Sequence, residues 1–182
     1  TLSSLNLLGT LPNRCALIEV RTMHLSSGTP LLDEIDLKIL EVLQKNGRAR
    51  RNDLAETVGL SLPSVSERLR KLEETGVVTG YYAKLDPKKL GKDVTAFIRI
   101  TVDSSRHFPS LIEHANATDE VLECHAITGE GTHLLKVRTE NTSSLEKLLA
   151  KIQAWPGVTG SLTSVILSTS KETTRIKLPS TK

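Results

Sequence analysis

Between Arg48 and Gly76 runs RARRNDLAETVGLSLPSVSERLRKLEETG, a segment whose spacing admits few folds. Leu54, Ala55 and Val58 fall on one side of a short helix from Arg51 to Val58. Gly59 supplies the positive φ that a tight helix-to-helix turn needs, and Leu60 can plug the corner. Ser61 is a favoured N-cap and Pro63 is tolerated in a first turn, so a second helix is expected to reach about Glu74 before Gly76 ends it. Val65, Leu69 and Leu72 form its apolar stripe. At roughly 100° per residue, Pro63, Ser64, Glu67, Arg70 and Lys71 point away from that stripe, and Ser66 and Arg68 lie on its flanks. The pattern is a helix-turn-helix over residues 51–70, whose second helix would lay its polar face in the major groove of double-stranded DNA.

The charge supports that reading only locally. A net charge of +3 is too small to make the chain a general polycation, so a nucleic-acid surface has to come from clustering. From Lys45 to Lys71 there are seven basic residues against three acidic ones, while the remainder holds 17 against 18. Arg70 or Lys71 can read guanine edges or grip phosphate, and Ser64 can bond to either. Ser61 belongs to the same DNA-facing set, and Glu67 can accept from cytosine or orient an arginine. Arg50 and Arg51 precede a helix N-terminus, where positive charge opposes the dipole, so phosphate contact is the expected use. Arg68 either pairs with an acid of the preceding helix, such as Asp36 or Glu41, or contacts phosphate.

The rest of the chain divides around this motif. Leu32, Ile35, Ile39, Leu40 and Leu43 predict a first helix from Asp33 to Asn46, capped by Asp33 and stopped by Gly47. Val77 to Leu85 reads as a strand, and Asp86, Pro87, Gly91 and four lysines mark a linker. Val94, Ala96, Ile98, Ile100 and Val102 then alternate with polar neighbours, as a strand with one buried face does. Phe108 to Ala115 predicts a helix, Val121 to Thr128 and His133 to Thr139 a hairpin, Leu145 to Ile152 a second helix, and Ser161 to Thr169 a last strand. The order βαββαβ predicts a ferredoxin-like α+β domain whose uncovered sheet face is closed by self-association. The expected layout is an N-terminal extension at 1–31, a winged-helix-like DNA-binding domain at 32–80, a linking strand and linker at 81–93, a ligand-binding and oligomerisation domain at 94–171, and a tail at 172–182. Translation of the natural protein is expected to start near Met23, with Thr1 to Thr22 a non-native addition. Cys15 and Cys124 form no CxxC pair and no apolar run is long enough to span a bilayer, so a cytoplasmic protein is expected.

These segments resemble the Lrp/AsnC, or feast/famine, family of transcription regulators from about Leu32 onward. The resemblance is carried by LDEIDLKILEVLQKNGR (Leu32 to Arg48), LAETVGLSLPSVSERLRKLEETGVVTGYYAKLDPKKLG (Leu54 to Gly91), ECHAITGEGTHLL (Glu123 to Leu135) and WPGV (Trp155 to Val158). It implies homodimers formed through the regulatory sheets and the linking strand, assembly of four dimers into octamers, and response to an amino-acid effector. The family's effector site surrounds a hairpin that usually reads Gly-x-x-Asp-Tyr-Leu-Leu, which corresponds here to the stretch from Gly129 through Gly131, Thr132 and His133 to Leu135. Thr132 stands at the usual Asp and His133 at the usual aromatic, so the carboxylate that would meet a ligand's ammonium group is missing, and a different ligand, or none, stands as an alternative to an amino-acid effector.

No phosphate loop, nucleophile elbow or paired-carboxylate motif occurs, so no catalytic residue is assigned and no enzyme is expected. Cys124, His125 and His133 suggest a metal, but neighbouring strand residues face opposite ways, so no metal or other cofactor is expected. Two alternatives remain open at this point. One is an architectural DNA-binding protein of low sequence specificity, and the other is a haem-biosynthesis decarboxylase of similar fold.

Overall fold

The computed structural model describes residues 32–179. The expected N-terminal extension, with Cys15 and the start near Met23, lies outside the described residues. The described chain forms two compact units, a helical one built on the first three helices and an αβ one spanning 80–177.

In the helical unit α1 spans Glu34–Lys45, α2 Arg51–Val58 and α3 Leu62–Glu74. The start of α1 is a reciprocal acidic cap. The Asp36 amide donates to Asp33 Oδ1 at 2.8 Å, and the Asp33 amide donates back to Asp36 Oδ2 at 3.2 Å. Ile39 and Leu40 of α1, Leu54 and Ala55 of α2, and Val65, Leu69 and Leu72 of α3 bury against one another, with Leu32, Ile35, Leu43, Val58 and Leu60 packed around them. These are the stripes that the three- and four-residue spacing predicts.

The αβ unit contains β1 (Val94–Val102), α4 (Phe108–Asn116), β2 (Val121–Ala126), β3 (His133–Thr139), α5 (Thr142–Gln153) and β4 (Val158–Val165). Its sheet has the order β2-β3-β1-β4 with every pair antiparallel, the ferredoxin-like arrangement. Ala96, Ile98, Ile100, Val102, Leu135 and Val137 point to one face, where Leu111 and Ala115 of α4, Leu145, Leu148 and Ile152 of α5, and Trp155 cover them. Phe97, Arg99, Leu134, Lys136, Arg138 and Leu162 stand on the other face by strand register. Among the described residues no helix is long and apolar enough to cross a membrane.

Three expectations change. Val77 to Leu85 is not a strand, because a strand exists by ladder pairing and no ladder runs along it among the described residues. The last strand begins at Val158 rather than Ser161, since Val102 and Thr101 of β1 already offer partners to Val158 and Gly160. It ends early for the same reason: β1 starts at Val94, and the Ile166 amide donating to the Thr95 carbonyl at 2.9 Å is the last rung. β2 stops at Ala126, after which the Ile127 amide donates to the Thr132 carbonyl and closes the hairpin loop.

Candidate nucleic-acid interface

The corner between α2 and α3 is built from backbone geometry. Gly59 adopts φ 71° and ψ 33°, the left-handed conformation that ends a helix, where an L side chain is strained. Beyond it the Leu60 amide donates to the Ala55 carbonyl at 3.0 Å and the Gly59 amide to the Glu56 carbonyl at 3.4 Å. This double closure lets Leu60 fold back onto the core. Ser61 then caps α3, its Oγ accepting from the Ser64 amide at 3.4 Å and lying 2.8 Å from Ser64 Oγ. The two serine hydroxyls therefore share one position at the helix start.

The burial of α3 follows the predicted wheel. Val65, Leu69 and Leu72 are buried, Ser66 and Arg68 are intermediate, and Pro63, Ser64, Glu67, Arg70 and Lys71 are exposed. What the wheel cannot give is which charges are already engaged. Arg68 Nη1 donates to Asp33 Oδ2 and Asp36 Oδ1, both at 2.7 Å, so the two acids that cap α1 also fasten α3 to it. Of the acids expected to pair with Arg68, Asp36 does so, joined by Asp33. The Asp36 amide, then Arg68, hold the Asp33 carboxyl below its ordinary pKa.

Arg70 is engaged along its own helix. Its Nε and Nη2 meet the two carboxylate oxygens of Glu67 at 2.9 and 2.6 Å, and Nη1 donates to Glu74 Oε1 at 2.5 Å. Those carboxylates, Glu67 first, raise the Arg70 pKa, and Arg70 lowers that of Glu67. The role of Glu67 as an orienter of arginine, and of Glu74 as a second clamp, is written in the three- and four-residue spacings on either side of Arg70. Glu74 was missing from the expected set although that spacing could have found it.

Lys71, Arg50 and Arg51 differ from these two arginines. All three are exposed, and none makes an ion pair among the described residues. Arg50 occupies the N-cap of α2 with φ −73° and ψ 146° and makes no side-chain cap hydrogen bond. The start of α2 thus has no side-chain cap and carries two exposed arginines, an arrangement suited to a phosphate.

The hairpin of the αβ unit holds the second set of expected residues. Gly129 and Gly131 take φ 93° and 77°. A Cβ on Gly131 would come within 2.7 Å of Arg99 Cγ and 3.0 Å of the Ile100 carbonyl, so this loop lies against β1 with no room for a side chain. The Thr132 amide and hydroxyl both donate to the Ile100 carbonyl, at 2.7 and 3.2 Å. His133 is 2% exposed and faces the helices, its ring edge-on to Phe108 at 4.8 Å with Nδ1 3.1 Å from Thr132 Oγ1. Burial pushes its pKa down. Cys124 packs on the helix side of the sheet, whereas His125 stands on the other side 3.2 Å from Glu123. No three His, Cys, Asp or Glu side chains converge as a metal site among the described residues.

Comparison with known proteins gives this geometry its context. Residues 32–79 match the winged helix-turn-helix DNA-binding domains, and residues 95–176 match the Lrp/AsnC ligand binding domains. The chain is 35% identical over 147 residues to the HTH-type transcriptional regulator FL11 of Pyrococcus horikoshii, covering 81% of this chain and 97% of that protein. It is 37% identical over 150 residues to the leucine-responsive regulatory protein of Escherichia coli, covering 80% of this chain and 90% of that one. A transcriptional regulator of Neisseria meningitidis, solved as its L-Met complex, superposes with a TM-score of 0.76 at 33% identity, over 80% of this chain and 96% of that one. With both its helical and its αβ unit matched, the chain belongs to the Lrp/AsnC family of transcription regulators.

Proposed function

We propose that this protein regulates transcription by laying the exposed face of α3 in the major groove, and that its uncommitted cations divide the work of holding the DNA. Lys71 and Ser64 reach base edges or the adjoining phosphates, with Ser61 at the helix start. Arg50 and Arg51, with the uncapped start of α2, hold phosphate. Arg70 reaches DNA by exchanging Glu67 and Glu74 for phosphate or a guanine edge, and Arg68 positions α3 from behind. The observation that carries this reading is the contrast on one surface between Arg68, tied to Asp33 and Asp36, and Arg50, Arg51 and Lys71, exposed with no ion pair among the described residues.

Occupancy on DNA follows assembly. Two copies meet through the outer sheet face, where Phe97 and Leu162 are 36% and 58% exposed, and through the segment 77–85, expected as the linking strand. A dimer then offers two recognition helices to two half-sites, and dimers assemble into an octamer that bends longer DNA. A small amino-acid-like effector acting at the hairpin of Gly129, Gly131, Thr132 and His133 shifts occupancy by binding one assembly better than another. The leucine-responsive relative and the L-Met complex support that class of ligand. Since His133 is turned inward and the Thr132 hydroxyl is engaged, the ligand meets the backbone of this loop more than its side chains. The protein works in the cytoplasm as a binding protein, without catalysis.

The test is a salt titration of DNA affinity by fluorescence anisotropy. Arg51→Ala and Lys71→Ala are each expected to lower the slope of log affinity against log salt by about 0.9 if the residue holds one phosphate, or to weaken binding by roughly 1–3 kcal/mol if it reads a base. Unchanged affinity and slope in both variants would overturn the assignment of this face.

A further inference from the structure

We propose that the αβ unit carries a second small-molecule site, at the end of the sheet away from the hairpin, for a small dianion that also carries a hydrogen-bond donor. The inference is separate from the DNA reading and from the effector at the hairpin. A cavity of about 250 Å³ opens beside α5, with the buried Thr139 and Leu148 at its floor. Its walls are Lys147, Lys151 and Ser144 from α5, Lys92 from just before β1, Glu120 from the approach to β2, and Glu140. Thr139 ends the strand that His133 begins, so the cavity lies about 20 Å along β3 from the hairpin.

The charges in this cavity are unevenly satisfied. Lys92 Nζ donates to Glu140 Oε1 at 3.1 Å, which closes one wall as a neutral pair. Lys147 and Lys151 are four residues apart on α5 and share one helix face, where like charges repel. Neither makes an ion pair among the described residues, although both line the cavity. A phosphate dianion, or the two carboxylates of a short dicarboxylate, answers both ammonium groups with charge-assisted hydrogen bonds. Glu120 sets what the rest of the ligand carries. Its carboxylate accepts hydrogen bonds but donates none, so it repels an entirely anionic molecule and favours one bearing a hydroxyl or an ammonium group. The volume suits a compound of a few carbon atoms rather than a nucleotide. Phosphate monoesters and hydroxylated or aminated dicarboxylates both meet these demands.

Isothermal titration of the full chain at low ionic strength with glycerol 3-phosphate, malate and succinate tests the proposal. Glycerol 3-phosphate or malate is expected to bind saturably, and which of them binds tells phosphate from dicarboxylate. Succinate, which lacks the donor, is expected to bind at least tenfold more weakly than malate where malate is the ligand. The Lys147→Ala/Lys151→Ala double variant alters exposed side chains and is expected to keep its circular dichroism while weakening binding tenfold or more. Glu120→Gln, a nearly isosteric variant, is expected to narrow the gap between malate and succinate, or, where the phosphate ester binds, between glycerol 3-phosphate and inorganic phosphate. A Thr132→Val change at the hairpin is expected to leave the titration as it was, which separates this site from the effector site. The proposal is overturned if neither glycerol 3-phosphate nor malate binds, or if the lysine double variant binds as wild type does. It is equally overturned if that variant lowers the salt dependence of DNA binding, because the lysines would then belong to DNA phosphate.

Discussion

The helical unit buries the apolar stripes of its helices and exposes one large apolar side chain among its described residues, Leu62 at 44%, whereas the αβ unit carries an apolar strip on the surface as well. In α3, Val65, Leu69 and Leu72 are all within 5% of full burial, and the outward face is Ser64, Glu67, Arg70 and Lys71. On the outer sheet face, Phe97 and Leu162 stand exposed near Lys136 and Arg138. A helix that buries one stripe in its own core is finished within one chain, and its polar side is free for DNA. A sheet covered by helices on one side only leaves a second layer to be supplied from outside. On the reading proposed above, one unit would meet DNA with a surface present in a single copy, and the other would give its outer sheet face to a second copy.

The largest effects should come from the two cores, and they test whether the units are as separate energetically as they are in contacts. Ile98 is fully buried in the central strand β1, between Leu135 and Thr163. Ile98→Ala is expected to cost about 2–5 kcal/mol, and Leu69→Ala in α3 a similar amount. Hydrogen exchange read by mass spectrometry should then quicken in the αβ unit for the first variant and in the helical unit for the second. Equal quickening of both units by both variants would dissolve the comparison.

Arg68→Ala comes next, at about 1 kcal/mol, because its ion pairs are partly solvated and only Asp36 among the partners is well covered. This variant sharpens the contrast between cations that hold the fold and cations that hold DNA. It should lower the unfolding midpoint of the helical unit and leave the salt slope of DNA binding unchanged, the reverse of Arg51→Ala. The same network has an acid signature. Asp33 has a folded pKa below its unfolded one, so its contribution is complete above the unfolded value and is lost as the pH falls through the folded value. Wild type should weaken below about pH 4, and Arg68→Ala, which removes one of the causes, should weaken less over the same range.

What could be read from the sequence divides along the same line. α2 and α3, the Gly59 corner and the outward set on α3 were legible because each rests on spacing within one or two helical turns. The alternation of β1 was legible for the same reason, its inward residues repeating every second position. The ends of β2 and β4 and the non-strand conformation of 77–85 were not, since a strand lasts only as long as its neighbour supplies partners. Within the site, the spacing of Glu67 and Glu74 around Arg70 carried the signal of its engagement, but position on the wheel alone left open whether Glu67 faces DNA or an arginine. Arg68 was harder still: Asp33 lies 35 residues away and meets it only through tertiary packing.

The smallest predicted effect concerns His133, which has both polar and apolar roles in the closed face of the sheet. Its ring is nearly sealed from water, edge-on to Phe108 and touching the Thr132 hydroxyl, so burial disfavours the protonated form and lowers the folded pKa below the unfolded one. Between those two values the unfolded chain binds the extra proton, so stability rises with pH there and is lost as the solution is acidified from about pH 6.5. His133→Phe keeps an aromatic edge on Phe108 and removes the titrating group. The αβ unit of wild type should therefore lose more of its unfolding midpoint between pH 7.5 and pH 5 than the variant does. An identical loss in both would mean that His133 reaches water in the folded protein, and that the hairpin opens where the structure shows it closed.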